Sequence, residues 1–90
     1  NLPPEEISSA ADQLDAQAVA LSLVYPKDDP HLRLELKKLH QLLPSDVTLI
    51  VGGRAAEGYY NTLNEIGAVI VKSSKLFRVE LEVIRKNKLN

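Results

Sequence analysis

The chain has 90 residues, of which 44% are hydrophobic and 26% charged, with a formal net charge of −1 from 11 basic and 12 acidic side chains and no cysteine. A chain this short buries only roughly 60–70% of the surface its unfolded form exposes, which leaves room for one core and one domain. Without cysteine there is no disulfide framework, thiolate nucleophile or Cys-based zinc or iron–sulfur site, and a charge near zero excludes a broad electrostatic footprint for nucleic acid or an anionic membrane. The apolar runs around Ala18–Tyr25 and Thr48–Val51 fall well short of the roughly 20 residues that span a bilayer. Pro3, Pro4, Glu5 and Glu6 contradict the basic opening of a signal peptide, so a cytoplasmic location is expected.

In chain order, "NLPPEEISSAADQLD" reads as an amphipathic helix. Its prolines suit a first helical turn, Glu5 and Glu6 suit the positive end of the dipole, and Ile7, Ala10, Ala11 and Leu14 recur at helical spacing. "AVALSLVY", residues 18–25, is short and almost continuously apolar, the pattern of a strand buried on both faces of a parallel sheet. Asp29 as cap and Pro30 at the first position open a second helix with Leu32, Leu36, Leu39 and Leu43 in one stripe, closed by Pro44. "VTLIV", residues 47–51, is a second strand. After Gly52 and Gly53, Tyr60, Leu63 and Ile66 mark a third helix that Gly67 ends, and "AVIV", residues 68–71, is a third strand.

Residues 75–88 carry two conflicting patterns. Phe77, Val79, Leu81 and Val83 alternate with Arg78, Glu80 and Glu82 as a half-exposed strand would. Against this, Ser73 and Ser74 are possible caps, Leu76, Val79, Val83 and Ile84 fall at helical spacing, and Arg85, Lys86 and Lys88 make a basic end. The regular alternation of helix and strand before this segment decides for helix.

Strands separated by helices imply right-handed crossovers and a parallel sheet, so the expected fold is a three-layer α/β domain with three strands and about four helices, a truncated flavodoxin-like sheet. The chain opens on a helix with no strand before it, which reads as the later part of a larger domain. In the flavodoxin-like strand order the missing strands lie beside the 18–25 strand, so its apolar edge is left open to a second copy of the chain.

Ligand sites in such sheets lie at the carboxyl ends of the strands, here the loops Ser22–Asp29, Gly52–Gly58 and Lys72–Lys75. Gly52 and Gly53 let backbone or ligand approach closely, or they serve only a tight strand-to-helix turn. Ser22 is placed to donate a hydrogen bond into the same crevice, or to satisfy local backbone. Arg54 is positioned for an anion or for solvent. Tyr59 and Tyr60 point about a hundred degrees apart on a helix, so Tyr60 is expected inside and Tyr59 at the groove's edge. His31 reads as a solvated first-turn residue and His40 as a helix-end residue, and neither is assigned to a metal. The acidic side chains are accounted for by helix starts and solvated faces, which leaves no catalytic carboxylate pair and no enzyme reading.

"NLPPEEI", "AVALSLVYP", "LIVGG" and the small "GA" opening of the third strand together resemble the later part of cobalamin-binding domains, closest to those of MerR-type transcription regulators. The resemblance runs over essentially the whole chain on short motifs. It implies that Ser22 contacts the nucleotide tail of a corrinoid, with Val24 where leucine is commoner, and that Gly52 and Gly53 line the groove for that tail. Arg54 and Tyr59 join this candidate set. The family's Asp-x-His-x-x-Gly motif, which supplies a histidine to cobalt, has no match here, so these residues alone are expected to bind cobalamin weakly or not at all. The parent implied is a regulator whose DNA contacts come from a separate region. The alternatives are a corrinoid carrier domain of a methyltransferase or mutase, or a structural interaction module.

Overall fold

The computed structural model describes residues 2–24 and 27–89, the last three by backbone alone. Four helices and three strands alternate as α1 (Pro4–Gln13), β1 (Ala18–Ser22), α2 (Pro30–Leu42), β2 (Thr48–Gly52), α3 (Tyr60–Glu65), β3 (Val69–Ile70) and α4 (Ser74–Leu89). A short 3-10 turn, Ala56–Tyr59, leads into α3. The strands form one parallel sheet in the order β1-β2-β3, with Ala18 through Ser22 opposite Thr48 through Gly52, and Ile50 and Val51 opposite Val69 and Ile70. This is the three-layer α/β arrangement expected, and the strand order is that of a truncated flavodoxin-like sheet.

Alternation along the strands divides the side chains between two faces. Leu49 and Val51 enter a cluster with Leu36, Leu39, Leu63 and Ala11, and Val19, Leu21 and Ile70 pack against it. Helices α1, α2 and α3 therefore share one face. Ala20, Ser22, Ile50 and Gly52 turn to the other face, where Phe77 of α4 joins Ile50 and Gly52 along one groove. Ile84, two turns further along α4, lies with Gln17 and Thr48 beside a cavity at the amino ends of the strands. Helix α4 thus runs down the second face against the strand direction, and residues 75–88 are helix.

Local chemistry explains several boundaries. The Asp29 carboxylate accepts the His31 amide at 2.9 Å as the cap of α2, and Pro30 takes the first turn, where a missing N–H is harmless. Ser73 does the same for α4, its hydroxyl accepting the Leu76 amide at 3.2 Å. Two helices end in the same double bond: the Ala16 amide reaches the Ala11 carbonyl and Asp15 that of Asp12, while Ala68 reaches Leu63 and Gly67 reaches Asn64. Such endings place the residue after the cap in left-handed backbone, and Asp15 (φ 51) and Gly67 (φ 74) occupy those positions. Helix α1 is held across α2 by Lys38–Glu5 at 2.6 Å and by the Ser8 hydroxyl donating to the Leu42 carbonyl at 3.3 Å.

Three expectations need correction. Leu14 belongs to no buried stripe: it is 78% exposed, because the helix stops at Gln13 and Leu14 turns away as its cap, while Leu2 and Pro4 are buried instead. The first strand ends at Ser22, with Val24 outside it and exposed; Tyr25 lies outside the described residues. Nor is that strand covered on both faces, since Ala20 and Ser22 are exposed.

Candidate functional site at the carboxyl rim

A groove of about 440 Å³ opens at the carboxyl ends of the strands on the α4 face. That volume lies within the range of small-molecule pockets, about 300–1,000 Å³. Ala20, Ser22, Ile50 and Gly52 form its floor, and Val71, Ser73 and Phe77 are on its wall. Parallel register sets Ser22 directly beside Gly52. Ala20, Ser22 and Gly52 are the small residues of this floor and Ile50 the bulky one, with the Ser22 hydroxyl as its polar point.

The two glycines do different work. A Cβ on Gly52 would meet the Val71 side chain and carbonyl oxygen at 3.3 Å, so the bare residue keeps the floor low beside β3. Gly53, at φ 98, faces the chain leaving β1: a Cβ there would overlap the Leu23 carbonyl oxygen and stand 2.7 Å from the Leu23 nitrogen. The same junction is closed by two 2.8 Å bonds, from the Leu23 amide to the Gly52 carbonyl and from the Ala55 amide to the Leu23 carbonyl. Gly53 thus lets the two loops lock together, and it also borders the groove.

Of the residues singled out by sequence, Ser22, Gly52 and Gly53 are brought together. Val24 and Arg54 are exposed and lie outside the groove lining. The tyrosines reverse the expectation. Tyr59 is 1% exposed in the main core and Tyr60 is 56% exposed, because the 3-10 turn before α3 rotates the pair relative to a continuous helix. Burial pushes the Tyr59 hydroxyl above its ordinary pKa, with the Asp29 backbone opposing and the Asp29 charge adding to the rise. His31 is solvated in the first turn of α2, 3.7 Å from Glu35, and among the described residues no group of three or more His, Cys, Asp or Glu is placed to hold a metal.

Sequence reading missed Phe77 as a wall and Gly58 as a contact. A Cβ on Gly58 would overlap the Lys27 carbonyl oxygen, so this glycine seats the loop before α2. Its only signal was position, five residues after the Gly52-Gly53 pair and in the same segment.

The fold and groove define a parallel α/β domain with a groove at its carboxyl rim. A scan against protein-family models and searches of curated proteins and solved structures return no match. No helix among the described residues is long and apolar enough to cross a membrane.

Proposed function

We propose that the chain is a cobalamin-binding-type, ligand-sensing domain of a MerR-type transcription regulator, acting in the cytoplasm and without the cobalt-ligating histidine motif. The observation carrying this reading is the pairing of Ser22 with Gly52 on the floor of one groove. In this reading the small floor takes the flat dimethylbenzimidazole end of a corrinoid nucleotide tail, the Ser22 hydroxyl donates to it, and Phe77 closes one side. The sequence carries no Asp-x-His-x-x-Gly motif to reach cobalt, so in this reading the groove holds the tail alone and weakly. Regulation of DNA binding then belongs to a separate region of the parent.

Titration calorimetry with free dimethylbenzimidazole ribonucleoside and with cobalamin tests the assignment. Weak binding of both is expected, abolished by Ser22→Val, which fills the floor at an exposed position that suits a β-branched residue. Absence of heat at millimolar ligand, or binding indifferent to Ser22→Val, removes the reading. A structural interaction module is the second reading, favoured by the uncovered Leu76, Val79 and Val83 on α4. It predicts no corrinoid binding at all.

A further inference from the structure

We draw no further inference here: the strongest candidate, the exposed apolar flank of α4 formed by Leu76, Val79 and Val83, carries nothing because it is an unpartnered helix face and nothing in the structure shows what covers it.

Discussion

The α-carbon of Gly53 sits so close to the backbone of Leu23 that any side chain at position 53 would enter the Leu23 peptide. The exit of β1 and the turn after β2 are therefore a single joint, braced by the Leu23–Gly52 and Ala55–Leu23 bonds. Gly53→Ala is expected to destabilise the fold by about 2–5 kcal/mol, combining left-handed backbone strain with overpacking against immobile backbone. Gly67 shares a positive φ but has open space around it, so Gly67→Ala isolates the backbone part at about 1–2 kcal/mol. Urea denaturation of the two variants side by side measures the difference; equal losses would mean that the Leu23 contact contributes nothing.

Leu36 and Leu14 look alike in sequence, each belonging to a helical stripe. Leu36 is fully buried between α2 and the sheet, so Leu36→Ala leaves a cavity and is expected to cost about 2–5 kcal/mol. Leu14→Ala, at an exposed cap, should stay within about 0.5 kcal/mol of the parent protein. Thermal and chemical melts of both variants check the pair.

Two groups give the pH dependence its sign. Tyr59 has its pKa raised in the folded protein, chiefly by burial, so its contribution is complete below its unfolded value and is lost as pH climbs through the folded value. Stability should fall above about pH 10, and Tyr59→Phe should flatten that limb. Glu5 is shifted the other way, first by its hydrogen bond to Lys38, so its contribution is present above the ordinary carboxylate range and disappears as pH falls through the lowered value. Because Glu5 is exposed, Glu5→Gln should change the acid limb far less than Tyr59→Phe changes the alkaline one. Denaturation midpoints measured from acid to strongly alkaline pH separate the two.

Much of the architecture was legible along the chain. Asp29-Pro30, Pro44 and Gly67 punctuate helices through chemistry confined to a few neighbouring residues, and the Leu32, Leu36, Leu39, Leu43 stripe declares its buried face by period alone. The candidate groove was half legible. Ser22 and Gly52 lie at equivalent strand ends, so a parallel sheet brings them together, but Phe77 reaches them only because α4 crosses the second face.

What the sequence determined by itself was the order and type of the elements and the parallel sheet they require, since capping, periodicity and crossover geometry act over short stretches of chain. Tertiary structure alone decided which tyrosine is buried, why Gly53 must lack a side chain, and that β1 stands at an edge with Ala20 and Ser22 uncovered. Each of these depends on what a distant segment places alongside, whether the rotation introduced by a 3-10 turn, the Leu23 backbone or the position of α4, and contacts at that separation leave no local trace in the residues that make them.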